Sequence, residues 1–248
     1  MFRWQGGKLV PGTDAVVAEA TLAVKVNGRV IADLLCSPAD LEYLGLGFLK
    51  VEGFINTAAE VKRRGVSKGV FSAAVIRALP PGGRRPTRLT GCAGGISFRA
   101  TGRTPSPYDR AVNLMHLFSA EKVLARSREF LARDATHRET GGTHSAALST
   151  ADELLAFASD IGRHNAVQKL AGWALLHRPV LDDAFLLCTG RISSEMVRYA
   201  RTMGIPLIAS RAATTLLGIQ EADAAGITLA GFVRGGRMNV YAHPERVA

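Results

Sequence analysis

From residue 140 to the end of the chain, short apolar runs alternate with segments of helical periodicity, and this alternation most restricts the possible fold. Four runs, residues 154–158, 184–188, 205–209 and 226–232, are short enough to be buried strands. The stretches between them, such as 166–175 and 214–225, repeat apolar residues at helical spacing. This order is typical of a layered α/β domain with a largely parallel sheet.

The polar hexamer Asp160-Ile161-Gly162-Arg163-His164-Asn165 lies between the first of these runs and the helical stretch that follows it. It is therefore a strand-to-helix corner, which in an open α/β sheet lies at the carboxyl end of a strand, where ligands bind. The N-terminus of the following helix offers backbone N–H groups and positive potential to an anion. An N-capping role would explain Asp160 alone, but not the cation, imidazole and amide that follow it.

Four further polar clusters occur at predicted strand ends: residues 140–144, 189–194, 210–214 and 234–237. Each joins a glycine or a hydroxyl to a charged or imidazole group. Glycines let backbone N–H groups approach an anion, and arginine forks match phosphate oxygens. A Gly-Gly pair by itself is more typical of a simple turn, and His144 by itself of a buried core histidine. Their repetition at five corners predicts that they line one crevice.

Positive charge is concentrated in one part of the chain. No acid occurs between Glu60 and Asp109, whereas that interval holds ten lysines and arginines, which equals the whole net charge of +10. Such a local basic field suggests a polyanionic partner, namely a phosphate-bearing cofactor, an acidic protein surface or nucleic acid. A general preference for arginine in the source proteome is the alternative, since the chain has 24 arginines and 7 lysines.

Length and cysteine content further limit the possible domain organisation, location and chemistry of the chain. The 248 residues, 47% of them hydrophobic, suffice for one sizeable core or for a core domain plus a smaller lobe. No apolar run reaches the roughly 18 residues of a membrane span, and the first residues lack the apolar region of a signal peptide, so a cytoplasmic location without a membrane partner is expected. Three cysteines, at 36, 92 and 188, form neither a disulfide framework nor a paired-cysteine zinc site, and no metal site is predicted.

The first half of the chain predicts a smaller, mixed α+β lobe over residues 1–137, ahead of the α/β domain at 138–248. Alternating residues on both sides of Asn27-Gly28 predict a β-hairpin. Ser37 is predicted to be the N-cap of a helix that starts at Pro38 and contains Leu44 and Phe48.

Weak strands, a mobile basic loop and two helices are predicted for the rest of this lobe. The loop follows Pro80-Pro81-Gly82-Gly83 and carries Cys92. The helices are expected around residues 108–118 and after an N-cap at Ser119. Because Cys92 lies among glycines and close in sequence to several arginines, its thiolate should be accessible and its pKa lowered from about 8.5.

The order of the motifs along the chain resembles that of the FdhD/NarQ family. The motifs are Asn27-Gly28, residues 37–55, Thr140-Gly141-Gly142-Thr143-His144, residues 160–169, Gly190-Arg191 and residues 231–241. The Gly-Arg-His-Asn and Gly-Phe-Val-Arg-Gly sequences among them are the most specific. The resemblance extends over nearly the whole chain.

This resemblance implies a formate dehydrogenase accessory sulfurtransferase. Such a protein passes persulfide sulfur from a cysteine desulfurase to the molybdenum bis(molybdopterin guanine dinucleotide) cofactor, which it binds as a substrate, before formate dehydrogenase receives it. The implied partners are the desulfurase and the catalytic subunit of the dehydrogenase, and a homodimer is one assembly that the chain could form. The implied fold is similar to that of cytidine deaminases, with the guanine nucleotide in the C-terminal domain and GDP as a partial mimic.

The motifs and the resemblance together predict the site residues. Cys92 is expected to carry the sulfur. The predicted cofactor-binding residues are Gly141, Gly142, Thr143, His144, Asp160, Gly162, Arg163, His164, Asn165, Gly190, Arg191, Phe232, Val233, Arg234, Gly235, Gly236 and Arg237. In one respect the chain departs from the family, whose sulfur loop commonly reads Cys-x-x-Cys-Gly, because here Gly95 follows Cys92-Ala93-Gly94 in place of the second cysteine. A disulfide within the loop is thereby excluded, whereas a persulfide on one thiol is not.

Three other functions are alternatives to sulfur transfer. A zinc deaminase would need His-x-Glu and Pro-Cys-x-x-Cys motifs, and the chain has neither. A nucleic-acid binder would place aromatic residues among the cations, yet Phe71 and Phe98 are the only aromatics between residues 61 and 107. The third alternative is a protein that binds the cofactor and docks the dehydrogenase without transferring sulfur. The sequence is compatible with it, because the second loop cysteine is missing.

Overall fold

The computed structural model of the chain describes residues 1–76, 88–90 and 112–248, with the backbone alone at 88–90. An isolated hairpin, β1 (Phe2–Gln5) and β2 (Lys8–Pro11), precedes an N-terminal lobe. The elements of this lobe are β3 (Ala20–Val26), β4 (Arg29–Cys36), α1 (Leu41–Val51), a 3-10 turn (Ala58–Glu60), β5 (Val61–Ser67), β6 (Val70–Val75) and β7 (Arg88–Thr90). The strand order in the five-stranded sheet is β5-β6-β3-β4-β7.

The hairpin predicted at Asn27-Gly28 is confirmed. Both residues have positive φ, 47° and 86°, the conformation that a type I′ turn requires and that this dipeptide adopts readily. The N-cap predicted at Ser37 is wrong, because α1 begins at Leu41 with Asp40 as its N-cap. Ser37 is instead engaged by the other lobe: its N–H donates to Asp160, and its hydroxyl accepts a hydrogen bond from the N–H of Ile161.

The C-terminal lobe contains a six-stranded sheet with the strand order β13-β12-β11-β10-β8-β9. Its elements are α2 (Ala120–Arg133), α3 (Ala135–Thr140), β8 (His144–Ser149), β9 (Leu154–Asp160), α4 (Arg163–His177), β10 (Phe185–Cys188), α5 (Ser194–Met203), β11 (Leu207–Ser210), α6 (Leu216–Ala225), β12 (Thr228–Arg234), β13 (Arg237–Ala242) and a 3-10 turn (Pro244–Arg246).

The expectation of a largely parallel sheet is wrong, because the sheet is mixed. Only the pairs β10–β11 and β11–β12 are parallel, while β8–β9, β8–β10 and β12–β13 are antiparallel. The four residues between β8 and β9 are too few for the crossover that a parallel pair needs, so these strands form a hairpin. The two parallel pairs are the ones connected through a helix, α5 or α6.

Side chains of alternate residues pack on opposite faces of this sheet, as the two-residue period of a strand requires. On β10, Leu186 and Cys188 join the core beneath α4 and α5, whereas Phe185 and Leu187 join a second core with Val123 and Phe130 of α2. The sheet is therefore the middle of three layers. This agrees with the predicted α/β class, and the likeness to cytidine deaminases remains a prediction.

Several elements lie outside what the sequence predicted, or outside the described ranges. The hairpin β1–β2 and the short helix α3 were not predicted. Of the helix expected around 108–118, residues 112–118 are irregular and the rest is not described. The basic loop and Cys92 also lie outside the described residues. In the described ranges, no helix is both long and apolar enough to span a bilayer.

The two lobes meet along α1 and α4, whose backbones touch. A Cβ atom at residue 47 would lie 1.6 Å from the carbonyl oxygen of Gln168, and one at residue 172 would lie 2.0 Å from that of Tyr43. Glycine at 47 and 172 is therefore what permits this approach. Helix α4 is buried without interruption from His164 to Gly172, between α1 on one side and the sheet on the other. The predicted lobe boundary at 137/138 is not tested by these contacts, although α2, which precedes it, and α3, which spans it, lie by the C-terminal sheet.

Candidate functional site

The register of the sheet brings the five predicted polar clusters to one edge. Cys188, the last residue of β10, pairs with Ser210 at the end of β11 and lies beside Ala146 near the start of β8. His144 in turn pairs with Asp160 at the end of β9. The turn after β12 lies at the same edge because β12 runs parallel to β11. At the usual spacing between strands, the clusters extend over roughly 19 Å from β12 to β9.

Three helices begin at this edge. The N-caps of α4, α5 and α6 are Gly162, Ser193 and Thr215, each in the connection that leaves a strand at its carboxyl end. The first turn of a helix has backbone N–H groups without intrahelical partners, and the helix dipole adds positive potential there. The edge is thus electropositive before any side chain is considered.

Asp160 is the polar centre of the corner between β9 and α4. Its carboxylate is fully buried and lies 2.8 Å from the ammonium of Lys169, which is also buried. One carboxylate oxygen accepts hydrogen bonds from the N–H of Gly162 and the amide of Asn165, and the other accepts from the N–H of Ser37 in the N-terminal lobe. These contacts compensate the buried charge of the carboxylate.

Asn165 shares this structural role. Its side-chain amide donates to Asp160 and to the carbonyl of Leu35 at the end of β4, 2.8 Å in each case. The contacts of Asp160 and Asn165 therefore position the corner and connect the two lobes. Whether these two residues also contact a cofactor stays a prediction.

Arg163, the first residue of α4, packs against Gly190 in the connection after β10. A Cβ atom at residue 190 would lie 2.8 Å from that of Arg163, so any larger residue would displace the arginine. His144 lies beside this pair and comes within 3.4 Å of the hydroxyl of Thr189. The structure therefore brings together His144, Arg163, Gly190 and Arg191, which the sequence predicted as one group.

The pKa of His144 is lowered from its ordinary value of 6.5. Burial is the main cause, followed by the positive charges of Arg163, His137 and Arg191. The imidazole is therefore neutral at neutral pH. A bound anion would offset the repulsion from the arginines and raise this pKa again.

His164 contacts α5. Its Nε2 atom lies 3.3 Å from a carboxylate oxygen of Glu195. Arg198 lies between Glu195 and Glu52, at 3.9 and 3.8 Å, and the hydroxyl of Tyr199 donates to Glu52. Glu52 follows α1, so this network joins the two lobes a second time. The sequence did not predict this role for any of the partners, because separations of up to 147 residues leave no local signal.

The hairpin β12–β13 carries the predicted residues 232–237. Phe232 has a positive φ of 53°, at a bulge between β12 and β13, and its N–H donates to the carbonyl of Ala212 in the neighbouring connection. The guanidinium of Arg234 lies over the Phe232 ring, 5.8 Å from its centroid. Gly235 and Gly236 form the exposed turn, and Arg234 and Arg237 lie opposite each other across it.

Four arginines on this edge have no acidic partner within the described part of the chain: Arg191, Arg211, Arg234 and Arg237. All four are exposed. Arg211 was in a predicted cluster but was not among the predicted ligands. Exposed arginines without acidic partners, next to three helix N-termini, form a surface suited to a ligand with several phosphates or other anionic groups.

The described residues contain no group of three or more His, Cys, Asp or Glu side chains placed to hold a metal ion. Two sizeable grooves lie away from the edge. One, of about 750 Å³, is on the N-terminal sheet, and the other, of about 560 Å³, lies between the segment after α1 and the C-terminal end of α4. Neither groove was predicted from the sequence.

The fold and the edge define a two-lobed α/β protein with a surface suited to an anionic ligand. Residues 17–248 match the model of the FdhD/NarQ family, and the chain belongs to that family. It is 33% identical over 248 residues to the sulfur carrier protein FdhD of Geobacillus kaustophilus, with 99% of this chain and 94% of the relative covered. It is 35% identical over 252 residues to the protein of the same name from Bacillus subtilis, with coverage of 100% and 95%.

The fold is similar to a crystal structure from Desulfotalea psychrophila, described as that of a formate dehydrogenase accessory protein. The TM-score is 0.81 at 27% identity, over 100% of this chain and 97% of the other. The family expected from the motifs is thereby confirmed.

The Asp160–Lys169 pair is tested by substitution of one partner or both. Lys169→Met should lower the free energy of unfolding by about 3–5 kcal/mol, because an uncompensated carboxylate is left in the core. Adding Asp160→Asn to Lys169→Met should recover part of that loss, since the buried charge is then gone. Urea denaturation measures both. Lys122→Met, which breaks an exposed pair with Asp152, is the control and should cost less than about 1 kcal/mol. A small effect of Lys169→Met would contradict the buried-charge argument.

The electrostatics of His144 are tested by NMR titration. The wild-type imidazole should titrate below 6.5, and Arg163→Ala should raise its pKa because a neighbouring cation is removed. The exposed Arg133→Ala should leave it unchanged. As the pH falls, His144 takes up a proton in the unfolded protein, where its pKa is ordinary, before it does so in the folded protein. Protonation of His144 therefore lowers the free energy of unfolding as the pH drops from 6.5 through the folded pKa. A pKa of His144 that is the same in Arg163→Ala and wild type would refute the assigned cause.

Proposed function

We propose that this protein is a sulfur carrier that accepts persulfide sulfur from a cysteine desulfurase and delivers it to the molybdenum bis(molybdopterin guanine dinucleotide) cofactor of a formate dehydrogenase. The relatives named sulfur carrier protein FdhD, and the related structure of a formate dehydrogenase accessory protein, support this proposal. The structural observation that carries it is the convergence of three helix N-termini and four exposed arginines at one sheet edge.

The proposed carrier is Cys92, which lies outside the described residues. The other two thiols are unsuited to the task. Cys36 and Cys188 are buried, and burial raises the pKa of each to about 11, so each is a protonated thiol at neutral pH. Since the thiolate is the form that attacks sulfur, these two cysteines are expected to be inert.

Loading requires no net oxidation. The Cys92 thiolate attacks the terminal sulfur of the donor persulfide, a bond forms between Sγ and that sulfur, and the S–S bond of the donor breaks as the donor cysteine leaves as a thiolate. On delivery the new S–S bond breaks, Cys92 regains a thiol, and a reduced molybdenum(IV) centre in the substrate supplies the two electrons that convert the sulfane sulfur to sulfide.

The edge of the C-terminal sheet would hold the guanine dinucleotide part of that substrate. Arg163 and Arg191 lie beside His144 at one end, and Arg234 and Arg237 lie on the hairpin at the other. Bidentate guanidinium–phosphate contacts at both ends would fix an elongated ligand along the edge. A neutral His144 can donate or accept one hydrogen bond there without adding charge.

The carrier role is tested by replacing one thiol at a time. Cys92→Ser should keep its fold but should not gain the mass of one sulfur atom when incubated with a desulfurase and cysteine, and it should not activate a dependent formate dehydrogenase. Cys36→Ala and Cys188→Ala are the matched controls and should do both. Intact-protein mass spectrometry and the dehydrogenase assay provide the readouts.

Full activation by Cys92→Ser would refute sulfur transfer and favour a protein that only binds the cofactor and docks the dehydrogenase. Gly95 is the observation that favours this second function. It stands where the family loop commonly has a second cysteine, whose thiol would assist sulfur release.

Nucleotide binding at the edge is tested with GDP. Arg163→Ala should weaken GDP binding about tenfold or more, since one charge-assisted, bidentate phosphate contact contributes roughly 1.5–3 kcal/mol. Isothermal titration calorimetry measures the change, with Arg133→Ala on α2 as the control. In Arg234→Ala, the affinity that remains should fall less steeply with salt, because one ionic contact has been removed. An unchanged GDP affinity in folded Arg163→Ala would place the nucleotide elsewhere.

A further inference from the structure

Strand β5 forms an open edge of the N-terminal sheet. It pairs with β6 on one side and has no strand on the other within the described residues. Six consecutive residues, Lys62 to Ser67, are exposed, and the contact of this stretch with α1 includes the pair between Arg64 and Glu42. No described residue outside the sheet makes a backbone hydrogen bond to this stretch.

A groove of about 750 Å³ adjoins this edge. Its floor consists of small side chains on the outer face of the sheet, because Gly65 of β5 pairs with Ser72 of β6, and Ala74 follows on the same face. The larger residues of β6, Phe71 and Val75, point into the core instead. The floor is shallow and lined by small side chains, with positive charge at its borders, which suits an extended chain with acidic side chains.

The groove and its edge are strongly basic. Lys25, Lys62, Arg63 and Lys68 have no acidic partner in the described structure, and Arg64 pairs with the half-exposed Glu42 at 2.6 Å. Lys25, Arg63 and Arg64 line the groove itself. A further acid of the outer face, Asp33, lies two strands beyond β6, opposite Ala23. Net positive charge therefore remains at Lys62 and Arg63 on the edge strand and at Lys68 just beyond its end.

We infer that the β5 edge and its groove, together the β5 groove, bind an extended acidic segment of a partner protein. The backbone of such a segment would pair with the free N–H and C=O groups of β5, as a strand added to the sheet. Acidic side chains at every second residue would lie on one face, next to Arg63 of the edge strand and in the positive field of the groove, to which Lys25 contributes from β3. The binding surface lies on the N-terminal sheet and does not depend on sulfur transfer or on nucleotide binding.

Positive charges on an edge strand have another known use, which is to prevent pairing between copies of the same protein. That use needs charge on the strand but does not need a groove beside it. Lys25 is two strands away from the edge, on β3, yet its side chain lines the same groove. The two explanations differ in outcome, because a purely protective edge would not bind an acidic strand in preference to its scrambled or N-methylated forms.

The probe is a fluorescein-labelled decapeptide of alternating glutamate and threonine, acetylated and amidated at its ends, and fluorescence anisotropy in 50 mM salt is the readout. The full-length wild-type protein should bind it. The double variant Lys25→Glu/Arg63→Glu should lower the affinity at least tenfold. The double variant Lys122→Glu/Arg133→Glu changes the net charge equally on the exposed face of α2 and should bind like wild type.

Two altered peptides separate strand pairing from simple charge attraction. N-methylation of every second residue removes backbone donors while it keeps all the glutamates, and it should weaken binding at least tenfold. A peptide with five glutamates followed by five threonines should also bind more weakly, because its charges no longer lie on one face. The inference is overturned if the wild-type protein does not bind the alternating peptide, if Lys25→Glu/Arg63→Glu binds it unchanged, or if the N-methylated peptide binds equally well.

Discussion

The buried carboxylate of Asp160 is the interaction on which the rest of the structure depends. It ends β9, holds the N–H of Gly162 where α4 begins, neutralises Lys169 inside the core and reaches across to Ser37 of the other lobe. Burial of one ion is costly, and here the cost is offset by four separate contacts. This one group sets where α4 begins, places Arg163 at the sheet edge and connects the two lobes at one of the places where they meet.

The chemistry of the edge depends on topology as much as on side chains. Parallel strands bring their carboxyl ends, and therefore the starts of α5 and α6, to the same side of the sheet, while the hairpin β8–β9 starts on that side at His144 and returns to it at Asp160. The starts of the helices add positive potential, and none of the described clusters adds a free carboxylate. Glu195, the acid in the first turn of α5, is engaged by His164 and Arg198.

The features that the sequence predicted correctly are those that neighbouring residues determine. The Asn27-Gly28 turn, the Ser119 cap of α2 and the alternation of strands and helices after residue 140 are all specified by neighbouring residues, and they are found in the structure. The clustering of polar corners was predictable because strand ends converge. The role of Ser37 was not, since its partner lies 123 residues away in sequence. The mixed sheet was not predicted, because an apolar run in the sequence does not indicate whether the strand it forms runs parallel or antiparallel to its neighbours.

The contact between the backbones of α1 and α4 has a kinetic consequence. At Gly47 and Gly172 no side chain lies between the two helices that could change rotamer and let one lobe slide over the other. The contact between the lobes is stabilised at two further places, by Asp160 and by the Glu52–Arg198 network. A junction held so closely is a poor hinge, so opening of the lobes is not a gate for ligands at the sheet edge. Association at that edge should then be a single step whose rate rises in proportion to ligand concentration, without saturating at a rate of domain opening.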